Sequence, residues 1–247
     1  ELQDPPIGEA EKTIAGLAAE MVHDGDTIQL GFGGIPNAIG FELMNRHDLG
    51  IHTEQIGASM ARMIKNGVVT NRYKNLDKGW SVGAFIIADN FTYQYLNNHP
   101  RVMMRRGRYT NDPMIIAQQD NMVSINAALQ IDLTGQVAAE AIAHIQWSGT
   151  GGATDYAYGA YHSKGGRAML CQISTAKKGT VSRIAPVLDS GSIVSVSRNL
   201  TDMVITEYGV AKLRQRTVKQ RVENLIAVAH PDFRAELRAE ANKYMYF

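Results

Sequence analysis

Two glycine-rich turns bracket a single glutamate. Gly31-Phe32-Gly33-Gly34-Ile35-Pro36-Asn37-Ala38 comes first, Glu54 follows in Ile51-His52-Thr53-Glu54, and Ser148-Gly149-Thr150-Gly151-Gly152-Ala153-Thr154-Asp155 completes the set. Glycine removes the Cβ that would keep a ligand off the backbone. N–H groups exposed at such a turn bind phosphate or a developing oxyanion. A carboxylate held between two such turns can serve as a nucleophile rather than as a surface charge.

Each feature also has a plainer reading. The first turn invites a dinucleotide-binding interpretation, with Asp48 downstream, but that fingerprint needs glycine at position 36, where the chain has Pro36. What survives is either a phosphate-approaching turn or a tight strand-to-helix turn without a ligand. The second turn can equally be a surface loop. A lone glutamate is usually solvated; Glu54 stands out because it closes an apolar stretch, at the end of a strand where α/β proteins build their sites. His52 reads as structural. Lys164-Gly165-Gly166 does not complete a P-loop, and no G-x-S-x-G elbow is present. Seven histidines without ligand spacing and one thiol argue against zinc. Cys171 reads as a small core residue. Ser174 to Gly179 and Arg105-Arg106-Gly107-Arg108 suit an anion, and suit a solvated loop as well.

The elements that must position these residues follow from periodicity. Helical spacing covers residues 9–23, stopped by Asp24-Gly25-Asp26. A buried strand at 27–30 runs into the first turn, Pro36 suits a first helical turn, and a helix is expected over 37–46. Residues 51–54 read as a strand or its end, and 58–66 as a helix stopped at Asn66-Gly67. Further strands are expected at 82–88, 102–104, within 122–133, and at 168–173, 192–196 and 203–205; further helices at 91–98, 210–214, 218–227 and 232–244. Residues 73–80 read as a polar loop. Alternating strands and helices predict an α/β domain with a largely parallel sheet flanked by helices, with both glycine turns at the C-terminal strand ends.

Bulk properties narrow the class. The 247 residues are 45% hydrophobic and 20% charged, as in an ordinary globular protein. Lys and Arg number 25 against 24 for Asp and Glu, so no strong field points to nucleic acid or a membrane surface. A single cysteine fits a reducing, cytoplasmic setting. No run approaches the ~18 apolar residues of a membrane span. The chain opens with Glu-Leu-Gln, and the expectation is that upstream residues were removed or lie on another chain.

Taken in order, these segments resemble the C-terminal half of the acetyl-CoA hydrolase/transferase family, of the 4-hydroxybutyrate and butyrate:acetate CoA-transferase type. The resemblance runs from about residue 5 to about residue 243. It rests on GFGGIPNA, GIHTE, NDP at 111–113, NMVSIN at 121–126, DLTGQV at 132–137, SGTGG, STAKKGTVSRI, Ile205-Thr206-Glu207-Tyr208-Gly209, and AHPDFR at 229–234.

The likeness implies a CoA-transferase-like (NagB/RpiA/CoA-transferase-like) domain over 1–247, with the family's N-terminal α/β domain absent from the chain. It implies that Glu54 is the catalytic carboxylate, passing through a glutamyl-CoA thioester. It implies that Gly152 contributes to an oxyanion hole, that Gly31, Phe32, Gly33, Gly34 and Ile35 contact CoA, and that Leu129 and Lys177 do so too. No permanently bound cofactor is implied, only coenzyme A and acyl-CoA as substrate, with a short-chain carboxylate as second substrate. The implied partners are the N-terminal domain and further copies of the chain. Hydrolysis of the same acyl-CoA, or CoA binding without turnover when the N-terminal half is missing, remain open. Many members carry Met and a Ser-Asp-Gly turn after the glutamate; here Gln55-Ile56-Gly57-Ala58-Ser59 stands there, which leaves the acyl group open.

Overall fold

The computed structural model describes residues 6–244 and 246. Its centre is a six-stranded sheet whose spatial order is Gly209–Lys212, Met203–Thr206, Arg167–Cys171, Met122–Ala127, Thr27–Leu30 and Gly50–Ile51. All neighbouring pairs are parallel except the edge hairpin formed by Met203–Thr206 and Gly209–Lys212.

The inner strands are buried on both faces, which is why they read as continuous apolar runs. Their side chains still alternate between two cores. Val123, Ile125, Met169, Cys171, Met203 and Ile205 join the cluster beneath helices Glu9–Glu20, Gly34–Glu42 and Ala58–Lys65. Met122, Ala168, Leu170 and Val204 join the one beneath Ala153–His162, Val218–Val228 and Pro231–Lys243. This second face turns polar at Gln29, Ser124 and Asn126. There Gln29 and Asn126 exchange amide hydrogen bonds at 2.9 and 3.1 Å, and Ser124 Oγ donates to Gln29 Oε1 at 2.8 Å.

Chain order reverses between Thr27–Leu30 and Met122–Ala127. A reversal of this kind leaves a crevice at the C-terminal strand ends. The first glycine turn and the segment after Asn126 emerge there.

Several expectations need correction. Residues 210–214 are not helical: the chain turns back at Glu207-Tyr208, Gly209 enters the returning strand at φ +134°, and Gly209–Lys212 pairs antiparallel with Met203–Thr206. Buried Ala211 and Leu213 alternate with exposed Lys212, a period of two that fits a strand. Residues 82–88 split into Ser81–Gly83, paired with Val102–Met104, and Phe85–Ile86, paired with Gln55–Ile56. Residues 192–196 form no strand; Val196 makes an isolated bridge to Val137. The helix expected at 37–46 begins at Gly34 and ends in a 3-10 turn over Leu43–Asn45.

Candidate active site

Glu54 sits where the chain leaves the central sheet. Gly50–Ile51 pairs with Thr27–Leu30, then His52 bridges to Val82, and Thr53 N–H donates to the Val82 carbonyl at 3.0 Å. The Glu54 carbonyl accepts two N–H groups, from Ala84 at 2.8 Å and Phe85 at 3.1 Å. This double acceptance splits 82–88 into two strands and fixes the backbone beneath the carboxylate. The side chain is half-buried, and its Oε2 accepts the Gly152 N–H at 3.0 Å.

Gly152 is the N-cap of Ala153–His162, so its N–H belongs to the positive end of a helix dipole. Its φ of −76° is open to any residue; space explains the glycine. A Cβ there would lie 2.6 Å from Asn111 Nδ2 and 2.7 Å from Glu54 Oε2. Gly31 is constrained likewise, with a Cβ landing 2.5 Å from Asn126 Oδ1. Gly33, at φ +123°, is needed for conformation.

A 710 Å3 cleft at the strand ends is lined by Glu54, Gly31, Phe32, Leu129 and residues 147–154. A 290 Å3 cavity opens beside it, walled by residues 30–34, Gln55, Met60 and Ile87. The structure therefore gathers Glu54, Gly152, Gly31, Phe32 and Leu129 around the cleft, and Gly33 and Gly34 around the adjoining cavity, with Gly31 and Phe32 in the wall of both. Ile35 and Lys177 lie outside the lining. Ile35 packs against the first core and faces a separate hollow with Pro6 and Ile7. Lys177 is exposed at φ +49°, in the turn between Thr175–Ala176 and Val181–Ser182.

Other contributors escaped the sequence reading. Asn111 and Tyr156 stand against Gly152, and Gln29 and Asn126 form part of the cleft wall. Tyr156 follows Gly152 by one helical turn, a spacing visible in the sequence but without meaning until Glu54 is in place. Residues 73–80 form a loop as expected, yet Lys74 within it is almost wholly buried.

Burial disfavours the charged forms of the ionisable groups behind Glu54. Burial, with the Lys74 charge adding to it, pushes His52 down to about 4. Its Nε2–H donates to the Thr110 carbonyl at 3.1 Å, while Nδ1 has no hydrogen-bond partner. Burial lowers Lys74 to about 7, against the pull of Asp77. Its Nζ donates to the carbonyls of Ile51 at 2.9 Å and Trp80 at 2.7 Å. Burial, then the charge of Glu54, raises Tyr156 well above the usual tyrosine range. Asp155 is raised first by burial and then by Glu54 and Asp112, against a hydrogen bond from Asn111.

Both His52 and Lys74 have folded pKa values below their unfolded ones of 6.5 and 10.5. The unfolded chain therefore binds the proton first as pH falls. Stability is expected to drop on acidification from about pH 10.5 to 7 through Lys74, and again from 6.5 to 4 through His52. Within either window the slope approaches about 1.4 kcal/mol per pH unit. Urea unfolding across pH 5–10 measures it; Lys74→Met is expected to flatten the alkaline window, and an unchanged slope in that variant would remove Lys74 as its source.

Among the described residues, no grouping of His, Cys, Asp or Glu could hold a metal ion, and no helix is long and apolar enough to cross a membrane.

Comparison with known proteins agrees with this architecture. The family model for the acetyl-CoA hydrolase/transferase C-terminal domain matches residues 89–241. The 4-hydroxybutyrate coenzyme A transferase of Clostridium kluyveri is 46% identical over 98% of this chain and 57% of its own length. The succinyl-CoA:cyclohexane-1-carboxylate CoA transferase of Geobacter metallireducens is 45% identical over 97% of this chain and 55% of its own. The crystal structure of RipA from Yersinia pestis superposes with a TM-score of 0.96 at 43% identity, covering all of this chain and 56% of that one. The chain thus spans little more than half the length of these relatives. With the family model matched over most of the chain and the same α/β framework around the glycine turns, the chain belongs to the acetyl-CoA hydrolase/transferase C-terminal domain family.

Proposed function

We propose that this chain provides the catalytic carboxylate of an acyl-CoA:carboxylate CoA-transferase, with Glu54 as nucleophile. The observation that carries the reading is the 3.0 Å hydrogen bond from Gly152 N–H to Glu54 Oε2 in a glycine-walled cleft. The names of the relatives support the reaction class.

In this scheme the Glu54 carboxylate attacks the thioester carbonyl, the C–S bond breaks, and CoA leaves as thiolate. The mixed anhydride keeps the acyl group activated. The thiolate then adds to Glu54 Cδ. Negative charge develops on the glutamyl oxygen, where Gly152 N–H already points, so the donor needs no reorganisation. Collapse expels the free acid and leaves a glutamyl-CoA thioester. An acceptor carboxylate reverses the sequence. Gly31, Phe32, Gly33, Gly34 and Leu129 line the space proposed for CoA, and the relatives' additional length is proposed to supply a domain that closes it against water.

The test is intact mass and peptide mapping after incubation with acyl-CoA and borohydride. Reduction of a glutamyl thioester to the alcohol lowers the mass by about 14 units, the signature of covalent carboxylate catalysis. That loss on Glu54, together with carboxylate-dependent transfer, supports the proposal. Release of free CoA without an acceptor would replace transfer by hydrolysis. CoA binding with neither modification nor turnover, in the full natural chain, would refute the catalytic role.

A further inference from the structure

Three segments that carry Glu54, Gly152 and Asn111 are tied together by one backbone carbonyl. The carbonyl of Thr110 accepts His52 Nε2–H at 3.1 Å and the Tyr156 hydroxyl at 2.7 Å. Both side chains are fully buried, with their rings 6.4 Å apart. His52 stands two residues before Glu54. Tyr156 donates its own N–H to the Gly152 carbonyl at 2.9 Å, so its ring and the Gly152 donor belong to the same helical turn. Thr110 immediately precedes Asn111, and its Oγ1 donates to Asn111 Oδ1 at 2.9 Å.

We infer that Tyr156 and His52 are positioning residues that set the separation of Gly152 N–H from the Glu54 carboxylate through the shared Thr110 carbonyl. Gly152 follows the exposed, glycine-rich segment Gly149-Thr150-Gly151, which by itself cannot hold a donor to a few tenths of an ångström. The phenol anchors the helix that starts at Gly152, and the imidazole anchors the strand end that carries Glu54. Because both bonds converge on one oxygen, a shift in either element is resisted by the other. Neither side chain lines the cleft, so each is assigned a role through Gly152 and Glu54.

The kinetic part of the test rests on Glu54 being the nucleophile; the spectroscopic part does not. Tyr156→Phe removes one hydroxyl and keeps the ring. In the full natural chain, amide exchange of Gly152 followed by NMR is expected to accelerate roughly tenfold, the scale of one net hydrogen bond. In the same variant kcat is expected to fall at least about tenfold, with KM for acyl-CoA within about twofold of the parent. His52→Leu should behave similarly. His52→Gln, which restores an N–H donor near the position of Nε2, should recover most of the loss. The double variant Tyr156→Phe/His52→Leu should lose less than the product of the single effects, since the two bonds share an acceptor. Unchanged Gly152 exchange in a folded Tyr156→Phe protein would overturn the inference, as would equal effects of His52→Leu and His52→Gln. A parent protein without transferase activity would sink the proposed function, while the exchange data would still decide the positioning role.

Discussion

Glu54→Gln is expected to lower CoA transfer by at least about 10⁴-fold, the scale seen when an enzyme loses its covalent nucleophile. The amide has the size of the carboxylate, and its carbonyl oxygen can still accept the Gly152 N–H. It has neither the charge nor the nucleophilicity to open a thioester. Because the backbone of Glu54 is held by Ala84 and Phe85 N–H groups rather than by its side chain, the fold should be untouched. CoA affinity, read by calorimetry, should stay within severalfold of the parent, while the borohydride-dependent mass change disappears. Substantial turnover by a verified Glu54→Gln protein would show that the nucleophile lies elsewhere.

For Gly152→Ala the expected loss is about 100- to 1,000-fold in kcat, that of one oxyanion donor. The N–H remains, and φ −76°, ψ 4° suits alanine, so backbone strain plays no part. The methyl would land 2.7 Å from Glu54 Oε2, 2.6 Å from Asn111 Nδ2 and 3.1 Å from the Tyr156 ring, and something must move. The half-buried carboxylate is freest to do so, and its departure separates nucleophile from donor. Gly151→Ala is the control: its Cβ would meet Glu54 Oε2 at an ordinary 3.9 Å. A kcat near the parent value is expected there. Equal damage from the two substitutions would mean that the loop, not the single donor, governs the reaction.

Much of the framework was legible in the residues because it is set by close neighbours. The strand at 27–30, the helix after it, the stop at Asn66-Gly67 and the C-terminal helices depend on periodicity and on glycine or proline at particular steps. The misreadings fall where a distant partner decides. Residues 210–214 contain good helix formers, but an edge strand at 203–206 offers unpaired backbone groups and wins. Residues 82–88 look like one strand, but the Glu54 carbonyl captures two successive N–H groups and divides it.

The candidate site divides in the same way. Two glycine turns and a carboxylate at a strand end are local features, and residue order alone was enough to single them out, because turn geometry and backbone access depend on the residues in the turn. The contact between Glu54 and Gly152 spans 98 positions of chain and exists only once the sheet brings two loops to one crevice. The same holds for a lysine hidden in a polar loop and for Tyr156 and His52 meeting at Thr110. Burial and long-range hydrogen bonding are properties of the packed chain, so only tertiary structure could decide which polar residues stand behind the cleft and which, like Lys177, remain at the surface.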